Sequence, residues 1–140
     1  MTTASELRYD RDSRYTKTSE WVRPTGDGKA LVGLTDYAQD QLSDIVYVEF
    51  PEVGDTFGKG DSFAVAESVK ATSDCYLPVG GEISAVNDEL ESSPQLVNED
   101  PYGAGWLVEI VMDNPAELDG LMDAAAYQAF VAEELAKGEH

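Results

Sequence analysis

The chain has 140 residues, 42% of them apolar, and nine basic against 28 acidic side chains leave a net charge of −19. That is one domain's worth of chain (residues 1–140) with material for a core, which excludes an acidic disordered tail; the charge excludes phosphate-mediated nucleic-acid binding. The single cysteine, Cys75, excludes an internal disulfide and a cysteine-rich metal site, and no apolar run nears the roughly 18 residues of a membrane span, Ala124–Ala132 being interrupted by Gln128.

The first two-thirds predicts short strands and turns. Glu20–Arg23 is a strand, Thr25-Gly26-Asp27-Gly28 a turn, and Lys29–Gly33 the returning strand. Thr35 is placed to cap a short helix running through Leu42. Ile45–Phe50 alternates, with Ile45, Tyr47 and Glu49 on one face and Val46, Val48 and Phe50 on the other. Turns at Pro51–Asp55 and Gly58–Asp61 bracket Thr56-Phe57. Ser62–Ser68 and Thr72–Leu77 then flank Val69-Lys70-Ala71, the pattern of a hairpin with a lysine near its tip. Glu82–Val86 is closed by Asn87-Asp88, and Trp106–Val111 is the last strand.

The period then changes. Asn114-Pro115 offers a cap followed by a first-turn proline, with Glu117 spaced to complete a capping box. A longer helix is predicted from about Asp123 to Lys137, ended by Gly138, its Tyr127, Phe130, Val131 and Leu135 forming one apolar face toward the sheets. Trp21 and Trp106 are expected in the core, and Met122, Tyr127 and Phe130 form a packing stripe.

The chemistry of catalysis is thin. Gly80-Gly81 and Gly103–Gly105 lack the context of a phosphate-binding loop, and the one histidine, His140, is terminal, so no serine has a histidine partner. Lys70 is the residue to follow. A hairpin tip holds a side chain firmly at its base and presents its end to solvent, which suits covalent attachment of a cofactor acid. An amide on so long a stem can visit several active sites while its carrier stays docked. Spacing alone does not separate that role from an ordinary exposed turn lysine.

The surrounding residues do. Glu67-Ser68-Val69-Lys70-Ala71-Thr72-Ser73-Asp74, followed by Leu77-Pro78-Val79-Gly80-Gly81-Glu82-Ile83, resembles the lipoyl-attachment segment of the H protein family of the glycine cleavage system. The resemblance continues in family order through Glu20-Trp21-Val22, Gly33–Ala38, Ile45–Gly54, Val86-Asn87, Ser93–Asn98, Asp100–Leu107 and Leu121-Met122-Asp123, covering residues 14–135. It implies a mainly β, lipoyl/biotinyl-type β-sandwich with a short helix in the N-terminal half and helices at the C-terminus. It implies a non-catalytic carrier with lipoate amide-linked to Lys70. The arm would take the aminomethyl group of glycine from a pyridoxal-phosphate decarboxylase to a tetrahydrofolate-dependent aminomethyltransferase, then be reoxidised by dihydrolipoyl dehydrogenase. A lipoate-attaching enzyme is a further partner. A monomer is expected, and the cytoplasm, since the N-terminus has no apolar signal core and Glu6, Asp10 and Asp12 argue against a transit peptide.

The chain departs from the family pattern at Ser19, where a histidine is usual, and at Ser43, where a glycine is usual. An ammonium carried by the arm calls for an acid in the cleft that shelters it, and Glu20 and Asp74, both inside family segments, are the candidates. Cys75 reads as a small core residue rather than a thiol that exchanges with the arm. Four alternatives stand beside this reading. A biotin carrier usually places methionines where Val69 and Ala71 stand; a dehydrogenase lipoyl domain lacks the C-terminal helices; a lipoyl-relay role has the same signature. A Schiff-base lysine enzyme would need burial that a hairpin tip does not give.

The charge is uneven. Residues 8–23 hold all four arginines and Lys17 for a net of +2, while residues 24–140 carry a net of −20. Such a surface either suits a salty cytoplasm, the reading favoured by so few lysines, or steers docking onto basic partners.

Overall fold

A computed structural model describes residues 3–138; His140 lies outside the described residues. All strand pairing is antiparallel and forms two sheets. The larger contains β1 (Arg14–Tyr15), β2 (Glu20–Gly26), β3 (Lys29–Leu34), β5 (Thr56–Phe57), β8 (Gly81–Val86) and β9 (Val108–Met112), in the order β1-β2-β3-β9-β8-β5. The smaller runs β4-β6-β7, with β4 Ile45–Glu49, β6 Ser62–Ser68 and β7 Thr72–Tyr76. Val22, Val32, Ile45, Ala66, Leu77, Val79, Ile83 and Ile110 belong to one buried cluster drawn from both sheets, the core of a β-sandwich.

Helices close the edges. α1 (Asp36–Leu42) starts as expected, the Thr35 hydroxyl accepting from the Ala38 amide at 3.2 Å. Asp36 in its first turn pairs with the Arg8 guanidinium at 3.0 Å. Burial works to raise the Asp36 carboxyl, but hydrogen bonds from Arg8 and Gln39 outweigh it and hold it below the usual carboxylate range. α2 (Glu89–Ser92) and α3 (Leu96–Glu99) are single turns whose Leu90 and Val97 plug the core.

α4 (Ala124–Gly138) is capped by the Asp123 carboxylate, which accepts from Ala126 N at 2.8 Å. Its Tyr127 and Val131 are fully buried in a second cluster with Tyr15 and Trp21. Tyr15 and Tyr127 stack at 4.6 Å. Gly33 lies opposite Trp21 in the β2–β3 ladder, and a Cβ there would come within 2.7 Å of the indole, so only glycine leaves room for the ring.

Several expectations are corrected. Asn114 does cap the next segment, its Oδ1 accepting from Ala116 N at 3.2 Å, but Pro115–Gly120 is a 3₁₀ helix. Glu117 does not close a capping box; its carboxylate accepts from Gly80 N at 2.9 Å, tying this segment to β8. Trp106 precedes β9 and is half-buried rather than fully in the core. The alternation of β4 breaks at a bulge between Ile45 and Tyr47, so Val46 and Tyr47 both face out.

Candidate functional site

The β6–β7 hairpin presents Lys70 on a four-residue loop, Ser68–Ala71, between the paired Glu67 and Thr72. Ser68 builds that loop. Its amide donates to Ala71 O at 2.8 Å, and its hydroxyl donates to the same carbonyl at 3.0 Å. That hydroxyl also accepts from the amides of Lys70 at 3.1 Å and Ala71 at 2.9 Å. The backbone of the tip is therefore satisfied locally and needs no contact from the lysine side chain. Val69 N donates to Asp44 O at 3.0 Å, which fastens the tip to the start of β4.

The Lys70 side chain is exposed, and its Nζ donates to Gln41 O at 3.2 Å. Gln41 borders a cleft of about 200 Å³ between α1 and the hairpin, whose other walls include Glu20, Leu34, Tyr37, Ala38 and Ser73. Lys70 thus stands at the mouth of a recess that is apolar on the α1 side and has one carboxylate inside.

That carboxylate is 1% exposed. Glu20 accepts from Thr16 Oγ1 at 2.9 Å, from Thr18 Oγ1, and from Tyr76 N at 3.2 Å. Burial pushes its pKa up to about 7, the hydrogen bonds opposing the rise without cancelling it. Among the described residues no lysine or arginine pairs with it. A buried carboxylate with donors but no cation is a place where an incoming cation gains strongly.

Beside it, Ser19 takes the left-handed conformation at φ 71°, and its hydroxyl accepts from Tyr127 OH at 2.8 Å. Tyr127 OH is also 2.7 Å from Thr35 Oγ1, so α4 supports the cleft at Ser19.

The expected residues divide. Lys70 and Glu20 are brought to one cleft. Asp74 is not: one residue beyond Ser73, it alternates away, is exposed, and accepts from Ser62 Oγ at 3.4 Å. Cys75 is buried, and burial first, then the nearby Glu20 and Asp74 charges, push its thiol well above the ordinary range. It is inert core, as expected. Ser68, Gln41 and Ser73 were missed. The serine three residues before Ala71 is a turn signal that could have found the first; nothing local marks the other two.

No helix among the described residues is long and apolar enough to cross a membrane, and none of their His, Cys, Asp and Glu side chains form a group that could hold a metal ion.

Comparison with known proteins agrees with this geometry. A family model described as Glycine cleavage H-protein matches residues 13–134. The glycine cleavage system H protein of Pseudoalteromonas atlantica is 56% identical over 123 residues, covering 88% of this chain and 95% of that one. That of Aeromonas salmonicida is 57% identical over 121 residues, covering 86% and 94%. A crystal structure of a glycine cleavage system H protein from Mycobacterium marinum matches with a TM-score of 0.79 at 37% identity, over 86% of this chain and 97% of that chain. The lipoyl-type β-sandwich expected from the sequence is therefore the fold observed, and the chain belongs to the glycine cleavage H-protein family.

Proposed function

We propose that this chain is the lipoyl carrier of a glycine cleavage system, with lipoate amide-linked to Nζ of Lys70. The observation that carries this reading is an exposed lysine on a locally closed hairpin tip, at the mouth of a cleft with an apolar wall and one cation-free carboxylate. The residues fit the group. Lys70 Nζ already reaches the cleft rim at Gln41, and Leu34, Tyr37 and Ala38 offer an aliphatic arm a surface to lie on. When bound, lipoate supplies a dithiolane that takes up the aminomethyl group of glycine.

The chain's own residues do the rest by holding and sheltering. Ser68 fixes the base of the arm; Leu34 and Tyr37 exclude water from one side; Glu20 offers a carboxylate to an ammonium, with Thr16, Thr18 and Tyr76 N orienting it. An ammonium beside Glu20 favours its ionised form, so the site charges as it fills. None of these groups is placed to break a bond. Catalysis belongs to the partners: the pyridoxal-phosphate decarboxylase, the tetrahydrofolate-dependent aminomethyltransferase and dihydrolipoyl dehydrogenase, with a lipoate-attaching enzyme acting on Lys70 beforehand. Val46, Tyr47 and Val69, 52%, 51% and 69% exposed around the tip, offer such enzymes an apolar footing beside the lysine.

Treatment with a lipoate-attaching enzyme, followed by intact mass and peptide mapping, is expected to place one lipoyl adduct on Lys70. Lys70→Ala is expected to abolish glycine cleavage in a reconstituted system with an unchanged unfolding midpoint. Retained turnover in that variant, or a bare Lys70 after competent lipoylation, overturns the reading.

A further inference from the structure

The segment ahead of β1 precedes the residues shared with the family model and is tied to the body of the molecule by side chains. Leu7 and Tyr9 pack on the aromatic cluster around Tyr127, and Tyr9 OH donates to Ala4 O at 2.7 Å. Asp10 Oδ2 accepts from the Arg23 guanidinium at 2.7 Å, and Tyr15 OH donates to Asp10 O at 2.6 Å. Arg8, between these anchors, reaches both α1 and α3.

Its backbone amide donates to Asp36 Oδ2 at 2.7 Å. Its guanidinium takes both carboxylate oxygens, Nη2 to Oδ1 at 3.0 Å and Nε to Oδ2 at 3.3 Å. The same planar group donates from Nη1 to Glu99 O at 2.6 Å and from Nη2 to Asn98 O at 3.0 Å, carbonyls at the end of α3, where no further turn supplies a donor. Tyr102 OH closes the arrangement, donating to Arg8 O at 2.9 Å and accepting from Asp36 N at 3.1 Å. The Asp36 side chain is 6% exposed and that of Arg8 50%. A forked pair onto a buried carboxylate holds a geometry that an ordinary surface ion pair does not.

The ties continue inward from Asp36. Its Oδ1 also accepts from Gln39 Nε2 at 2.7 Å, and Gln39 Oε1 accepts from Asn98 Nδ2 at 2.9 Å. Asn98 Nδ2 donates to Ser43 O and its Oδ1 accepts from Ile45 N, both at 2.9 Å, gripping the chain on either side of Asp44. Asp44 O is the acceptor for Val69 N at the hairpin tip. α1, so held, supplies Tyr37, Ala38, Gln41 and Leu42 to the cleft beside Lys70, and Arg8 itself does not border that cleft.

We propose that Arg8 is a positioning residue for the arm cleft: acting through Asp36, it fixes α1 at the spacing from the hairpin tip that shelters a group carried on Lys70. This role rests on the lipoyl-carrier reading, whereas the clamp is present without any arm. With seven residues, α1 is too short to hold its place by its own hydrogen bonds, so its orientation is set by what it is tied to. Arg8→Lys keeps the charge but loses the fork, and one ammonium cannot serve both Asp36 oxygens and the two α3 carbonyls.

Amide hydrogen exchange on the unmodified full chain tests the clamp. In Arg8→Ala, the amides of Ala38, Gln39 and Ser43 are expected to exchange at least about tenfold faster, with those of Ile83 and Ile110 unchanged. Arg8→Lys is expected to fall between, and it carries the same comparison if Arg8→Ala does not fold. The second measurement uses carrier with lipoate on Lys70, checked by intact mass, and loaded with the aminomethyl group. Water slowly displaces the arm sulfur from that carbon, restoring the thiol and releasing formaldehyde and ammonia. In the absence of partners this release is expected to be at least about threefold faster in Arg8→Ala. Transfer at saturating aminomethyltransferase is expected to be unchanged, a split that general loss of structure would not give. Unchanged exchange in α1, acceleration spread equally to Ile83 and Ile110, or faster α1 exchange with unchanged release overturns the role of Arg8. A parent chain that takes no lipoate on Lys70 overturns the lipoyl-carrier reading first, and this role with it.

Discussion

Glu20 and Ser43 each occupy a position that a different residue would fill at lower cost. Glu20 is buried with its pKa raised to about 7 from an ordinary 4.5, so the fold prefers it protonated. Its contribution to stability is complete below about pH 4.5 and is lost as pH rises through 7, since the native state binds the extra proton in that window. Glu20→Gln removes that dependence. Relative to the parent, the variant's melting temperature is expected to rise by several degrees between pH 4.5 and 8. A difference constant across that range refutes the raised pKa. Asp10 and Asp36, both held low, titrate at more acid pH and cancel in the comparison. Ser43, closing α1, sits at φ 67° and ψ −157°, a region open to glycine and costly for any side chain. Ser43→Gly is expected to add about 1 kcal/mol, read as a higher urea midpoint at unchanged slope. A lower midpoint would mean the serine is not strained.

Among the elements, the β6–β7 hairpin has the most precise task under the proposed function, which needs Lys70 presented from a fixed base. The Ser68 hydroxyl makes three of the bonds that close the loop. Ser68→Ala is expected to speed hydrogen exchange at the Lys70 and Ala71 amides by at least about tenfold, at roughly 1 kcal/mol per lost bond. Strands away from the tip should keep their protection. Unchanged exchange at the tip would show that the ladder alone holds the loop. Next to it, the bulge in β4 turns Val46 and Tyr47 outward together, which a regular strand could not do. α4 acts at a distance, its Tyr127 hydroxyl reaching through the aromatic cluster to Ser19 at the cleft floor.

Across the whole molecule, a net charge of −19 on 140 residues must be tolerated by the compact state. If the acidity is an adaptation to salt, screening relieves the self-repulsion. The unfolding midpoint is then expected to climb by several degrees as sodium chloride is raised from about 0.05 to about 2 M. A flat or falling midpoint would assign the acidity to docking on basic partner surfaces instead. The basic exceptions have local uses. Arg8 clamps Asp36, and Arg23 pairs with Asp10 at 2.7 Å while lying 4.8 Å from the Trp21 ring centre.

What the chain declares by itself is whatever nearest neighbours decide. The Lys70 hairpin, the Thr35 cap, the β2–β3 pair and the apolar face of α4 were all legible, because turn chemistry, capping and periodicity act over a few residues. α2 and α3 were not, since a single turn is too short to show a period, and only the packing of Leu90 and Val97 sets it. The Pro115 segment is 3₁₀ and its Glu117 accepts from Gly80 N, a contact that local sequence does not contain. The same holds at the site. Glu20 and Asp74 looked equivalent among 28 acids; strand alternation exposed one, and burial beneath the hairpin gave the other its raised pKa. Bond geometry is local, whereas desolvation and convergence belong to the folded chain, so the hairpin that presents Lys70 could be read from the sequence and its surroundings could not.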